Sequence, residues 1–136
     1  MPQGGKQYIL RKNDLLYPEL SFRINGVLFE VYRQMGGGHH EKYYQKAVVL
    51  GLLKEKIKFR EQVYVPLKFN DKIVGKYFLD FLIEDKIILE LKRGKMIPIL
   101  NLKQTKQYLS TLNLKLGIVA SFTQEGVVIK RIINEY

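Results

Sequence analysis

The chain has 136 residues, 46% of them hydrophobic, which is enough for one core and short for two. Lysine and arginine number 23 against 13 aspartate and glutamate, a net charge of +10 that favours polyanionic partners, nucleic acid first. The absence of cysteine excludes disulfides, zinc ribbons and thiol catalysis, so any metal must take oxygen ligands or the two histidines, and Mg²⁺ or Mn²⁺ suits such ligands best.

The first residues, Met1 to Lys6, contain no apolar signal core, and no run approaches the roughly 20 apolar residues of a membrane helix, so a cytoplasmic location without a membrane span is expected. Residues 1–18 read as an N-terminal extension and 19–136 as one domain. Tyr17-Pro18 opens the first helix, because the residue before proline resists helix and the residue after can start one. Leu20, Ile24, Val27, Leu28, Val31 and Met35 then form one apolar stripe. Gly36-Gly37-Gly38 ends that helix, and good helix formers predict a second from Glu41 to Ile57.

From Phe59 to Phe69 the pattern alternates, with Val63, Val65 and Leu67 on one face and Tyr64 and Lys68 on the other, as in a strand. Turns at Asn70-Asp71 and Glu84-Asp85 separate two further strands, Lys72 to Ile83 and Lys86 to Leu91. Their middle is apolar on both faces, which requires helices on each side of the sheet. Pro98 precedes a helix from Leu100 to Leu112, with Asn113 as its cap. Leu116 to Phe122 and Val127 to Ile133 are strands joined by a turn at Gln124 to Gly126, the last an edge strand. The order is α-α-β-β-β-α-β-β.

Charged residues inside this apolar pattern mark the candidate site. Glu90 and Lys92 lie in the run Ile87 to Lys92, two apart, so they project from one face of a strand. Ionised groups there are costly unless they face a cleft or a strand end. Asp80 joins them through hairpin register: a two-residue turn pairs it with Leu89, whereas an extra loop residue or a bulge pairs it with Glu90, the arrangement expected here. Two adjacent carboxylates repel and call for a cation, and a divalent metal held by Asp80 and Glu90 activates water for phosphodiester hydrolysis. Lys92 then acts as an electrostatic stabiliser rather than a general base. Gln104 and Tyr108 share a helix face at i and i+4 as hydrogen-bond donors that the helix does not need for burial. Glu41 follows the glycines at a helix N-terminus, either as a third acidic ligand or as a cap that complements the dipole. His39 and His40 alone make a poor metal site, Tyr44 is expected to be buried, and Arg93, Lys95, Lys103 and Lys106 form a phosphate-tracking rim with Lys92.

Together these residues resemble the GxxExxY proteins, small domains of the PD-(D/E)XK nuclease superfamily. The signature is Gly38-His39-His40-Glu41-Lys42-Tyr43-Tyr44, with Gly38, Glu41 and Tyr44 at the defining positions. Asp80-Phe81 and Glu90-Leu91-Lys92 look like the superfamily motif, and Gln104 to Tyr108 like its QxxxY helix, within a likeness running from Glu19 to Ile133. The resemblance implies an α/β, restriction-endonuclease-like fold, a mixed sheet flanked by helices. It also implies a catalytic trio of Asp80, Glu90 and Lys92 with Gln104 and Tyr108 in support, and Glu41 as a candidate extra metal ligand. The chain departs from the family at three points: His39-His40 replaces a usually apolar pair, Gly37 a common proline, and Asn101 a frequent histidine. The expected activity is Mg²⁺- or Mn²⁺-dependent hydrolysis of nucleic acid, DNA before RNA, by a homodimer or within a larger complex. The alternative is a catalytically silent nucleic-acid-binding or assembly module with the same fold.

Overall fold

Pro18 fixes where helix α1 (Pro18–Met35) begins, since its ring presets a helical φ and its missing N–H is one the first turn leaves unused. The computed structural model describes residues 16–134, so most of the expected N-terminal extension lies outside the described residues. The apolar stripe buries Ile24, Val27, Leu28 and Val31 as its spacing requires. Gly36 ends the helix at φ 69°, its amide donating to the Tyr32 carbonyl.

The glycine run is a packing necessity as well as a cap. A Cβ on Gly37 would lie 2.4 Å from the Thr123 carbonyl oxygen, inside contact distance with backbone that cannot swing away. Gly37→Ala should therefore lower stability by about 2 kcal/mol, read as a shifted urea midpoint at unchanged slope.

Helix α2 (Glu41–Lys54) stops three residues short of the expected Ile57. Lys56 turns left-handed at φ 57°, and the amides of Lys56 and Ile57 donate back to the carbonyls of Leu53 and Leu52. That paired capping pattern folds Ile57 into the core, where it is almost fully buried.

Strands β1 (Phe59–Phe69), β2 (Lys72–Ile83) and β3 (Ile87–Arg93) form the antiparallel meander. Helix α3 (Ile99–Leu112) then crosses over to β4 (Leu116–Thr123), which runs parallel to β3 as such a long connection permits, and β5 (Gly126–Ile133) closes the edge antiparallel to β4. The sheet order is β1-β2-β3-β4-β5, an α/β architecture in the order α-α-β-β-β-α-β-β. Pairing with β4 carries β3 through Lys92 and Arg93, beyond the apolar run that marked its expected end at Leu91.

Helices cover both faces. On one, α1 and α2 bury Ile24, Leu28, Val48 and Leu52 against Phe81, Leu89, Ile118 and Phe122. On the other, α3 packs Tyr108 and Leu109 over Leu79, Leu82 and Ile88. Each such aliphatic side chain contributes roughly 1.5–3 kcal/mol on burial.

β2 changes faces in mid-strand. Phe81 and Ile83 point into the α1–α2 core, yet Leu79 belongs to the core under α3, so the two-residue alternation breaks at Asp80. β1 breaks with it: Phe59 packs on the α1–α2 side and Val63 on the other, with Gln62 between them at φ 50°. Glu61 still pairs with Phe81 and Val63 with Leu79, so both strands cross over together.

Candidate active site

A three-residue connection sets the site's register. Glu84 and Asp85 take left-handed φ of 54° and 57°, Lys86 donates to the Ile83 carbonyl, and Ile83 pairs with Ile87. The ladder then runs through Leu82 with Ile88 to Phe81 with Leu89, which brings Asp80 level with Glu90, the second of the two arrangements considered from sequence. There the main-chain ladder stops and the side chains take over. The Asp80 amide donates to Glu90 Oε2 at 2.7 Å, and the Leu91 amide donates to Asp80 Oδ2 at 2.7 Å. Each carboxylate replaces a carbonyl acceptor that the parting strands no longer offer.

These acids are costly to ionise. Glu90 is 8% exposed, and burial, then the adjacent Asp80 charge, pushes its pKa up to about 8. Burial also raises Asp80, opposed by the Leu91 amide and by Lys92. Lys92 lies on the same face of β3 as Glu90 and favours the ionised form of both acids without a direct ion pair to either. Glu41, at the start of α2, acts on both with the opposite sign. Four charged groups from α2, β2 and β3 therefore share one field.

Gln45 is a member that the sequence reading missed. Its Nε2 donates to Asp80 Oδ1 at 2.8 Å, so each oxygen of that carboxylate accepts one hydrogen bond. The available signal was its position one turn after Glu41, on the same face of α2.

Tyr108 stands across from the acids on α3. It is buried in the core beneath α3, with its ring 5.4 Å from Tyr77, so the helix does use it for packing. Burial first, then Glu90, pushes its hydroxyl up to about 12, so it remains a hydrogen-bond donor at neutral pH. Gln104 is half-buried one turn earlier, and its side chain makes no hydrogen bond to another described residue.

The histidines serve the scaffold. His39 Nε2 lies 2.9 Å from the Met35 carbonyl, and its ring meets Tyr44 edge-on at 5.7 Å, while His40 is the N-cap of α2. Tyr44 is fully buried, stacks on Phe122 at 4.1 Å and donates to the Gly36 carbonyl at 2.6 Å. Arg93, Lys95, Lys103 and Lys106 are exposed, with Arg93 also donating to the His39 carbonyl.

Among the described residues no three histidine, aspartate or glutamate side chains converge to hold a metal ion. The donor chemistry of Asp80 and Glu90 nonetheless fits a divalent cation. Glu90 is a buried and Asp80 a half-buried oxygen donor whose mutual repulsion a cation relieves, and Glu90 Oε1 accepts no hydrogen bond among the described residues. No described helix is long and apolar enough to cross a membrane.

Comparison with known proteins gives a fold and a family. The solved structure of SSO0001 superposes with a TM-score of 0.58 at 16% identity over 71% of this chain, which spans only 50% of that protein. The alkaline exonuclease LHK-Exo from Laribacter hongkongensis gives a TM-score of 0.44 at 12% identity, covering 85% of this chain and 82% of that one. At such identity the likeness to SSO0001 speaks to fold alone, and no curated protein matches the chain in sequence. The family model for the PD-(D/E)XK nuclease superfamily matches residues 18–132, from the first residue of α1 to the penultimate residue of β5. By a match of that extent, this protein belongs to the PD-(D/E)XK nuclease superfamily.

Proposed function

We propose that the chain is a Mg²⁺- or Mn²⁺-dependent nuclease that hydrolyses DNA phosphodiesters where β2 and β3 part. The observation that carries this reading is the pairing of half-buried Asp80 with buried Glu90, held in place by main-chain amides beside Lys92. Asp80 and Glu90 are the ligands for the cation, and Glu41 is the candidate third. When bound, the cation supplies the positive charge that acidifies water and stabilises phosphoryl oxygens. Gln45 fixes the Asp80 carboxylate. Lys92 orients the attacking water and offsets charge developing on the phosphorus oxygens. Tyr108 and Gln104 donate hydrogen bonds to the phosphate, and the exposed basic rim follows its neighbours along the strand.

Within the superfamily the best placement is the GxxExxY group, and the signature residues have physical roles that support it. Gly38 takes φ 90°, Tyr44 ties the loop to Phe122, and Glu41 starts α2 within the field of the two acids. On this reading residues 19–136 make one catalytic domain. One observation favours a silent binding module instead: each acid already accepts a main-chain amide, and among the described residues no third His, Asp or Glu converges with them to hold a metal ion.

The deciding assay is cleavage of labelled single- and double-stranded DNA in Mg²⁺, Mn²⁺ or EDTA by wild type and Asp80→Ala. Metal-dependent cutting by wild type alone is expected. Intact DNA affinity without cutting in any metal would establish the binding module.

A further inference from the structure

The hairpin of β1 and β2 outruns the sheet. β3 pairs with β2 only from Phe81 to Ile83, so residues 63–69 and 72–79 continue as a two-stranded arm. One face of that arm is used by the fold, since Val63, Val65 and Leu79 pack toward α3 and Tyr77 contacts Tyr108.

The opposite face is open among the described residues and has a chemical pattern. Tyr64 and Phe78 are cross-strand partners with ring centroids 6.0 Å apart, 45% and 49% exposed. The next pair outward brings Lys76, whose Nζ lies 5.9 Å over the Phe78 ring. Beyond the irregularity at Leu67 and Lys68, Lys68 pairs with the exposed Ile73. The arm carries Lys68, Lys72 and Lys76 against Asp71 alone.

Exposed aromatics next to lysines contribute little to the fold, and the positive sign of the surroundings selects an anionic occupant with flat apolar surfaces. Unpaired nucleobases meet that description, because their faces are free to stack only outside a duplex. Phe78 is two residues from Asp80 along β2, roughly 7 Å along the main chain, so the arm leads directly into the strand that carries the acids.

We propose that this face of the arm is a stacking platform for single-stranded nucleic acid, with Tyr64 and Phe78 taking bases and Lys68 and Lys76 taking phosphates. The inference deepens the nuclease reading and rests on it for the strand's path toward Asp80, whereas the binding itself is separable from cutting.

The test exploits the absence of tryptophan from the chain. In EDTA, full-length Phe78→Trp carries one indole, whose emission should be quenched by oligo-dT and not by a blunt duplex of equal length. Phe78→Ala should weaken oligo-dT binding about tenfold, and Phe78→Leu should be equally weak, because an apolar side chain without a ring cannot stack. Thermal melts of each variant check that the surface change leaves the fold intact, and the Trp titration stands even if the alanine variant is unstable. Unchanged binding by Phe78→Ala, full binding by Phe78→Leu, or equal quenching by duplex would overturn the platform, as would wild type that does not bind oligo-dT. The two readings fail separately. Metal-dependent cutting with normal oligo-dT binding by Phe78→Ala removes the platform and keeps the nuclease. Lost binding with Asp80→Ala cutting as well as wild type does the reverse.

Discussion

Glu90→Gln should make the metal-free protein more stable at pH 8–9 than wild type, in spite of the loss of a charged residue. In the folded chain Glu90 holds its proton to about pH 8, well above the ordinary carboxylate value of 4.5, because it is buried and faces Asp80. An unfolded chain releases that proton near the ordinary value. Between the two pH values the folded state therefore binds more protons, and stability falls as pH rises through the window. The contribution is fully present below about pH 4.5 and lost above about 8, on the order of a few kcal/mol. Glutamine retains an acceptor for the Asp80 amide and never ionises, so its profile across this window should be flatter. Urea midpoints in EDTA from pH 5 to 9 measure this. Mg²⁺ at pH 8 should raise the wild-type midpoint and leave that of Glu90→Gln nearly unmoved. A variant less stable than wild type at pH 8–9 would mean that the acid is not strained by its burial.

The second large effect is on catalysis. Glu90→Ala should reduce DNA cleavage by about 10³-fold or more, and Lys92→Ala by roughly 10²–10³-fold, the range for removing a preorganised electrostatic partner of the transition state. The two should differ in what they leave behind. Glu90→Ala removes a ligand, so extra Mn²⁺ should restore part of its activity. Lys92→Ala leaves the acids in place, so its loss should persist at any metal concentration. Initial rates across a metal titration distinguish them, and cutting equal to wild type in both variants would refute the site.

Much of this arrangement was readable in the residues. The helices and strands carry strong periodicity, and the register of Asp80 followed from the choice between two loop lengths at Glu84 and Asp85. What escaped was set by distance through space. Gln45 has no mark of function until Asp80 from β2 is brought against α2. Lys56 is an unremarkable residue for a left-handed cap, so the end of α2 was visible only through its hydrogen bonds. The facial crossover at Gln62 and Asp80 could not be read from alternation, because Leu79, Phe81 and Leu82 are apolar on either face. Tyr108 was assigned to the site by its hydroxyl, when its ring also fills the core.

The β1–β2 arm makes this protein adjustable by parity. Its turn at Asn70 and Asp71 lies outside the helical layers, so strand length there is decoupled from the core. Adding or deleting two residues on each strand moves the tip by roughly 7 Å and keeps every retained side chain on its own face. A single-residue change on each strand inverts the outer segment and turns lysines toward the side that the fold uses. Relatives with different reach should therefore differ here in even steps per strand, with the spacing from Phe78 to Asp80 held constant.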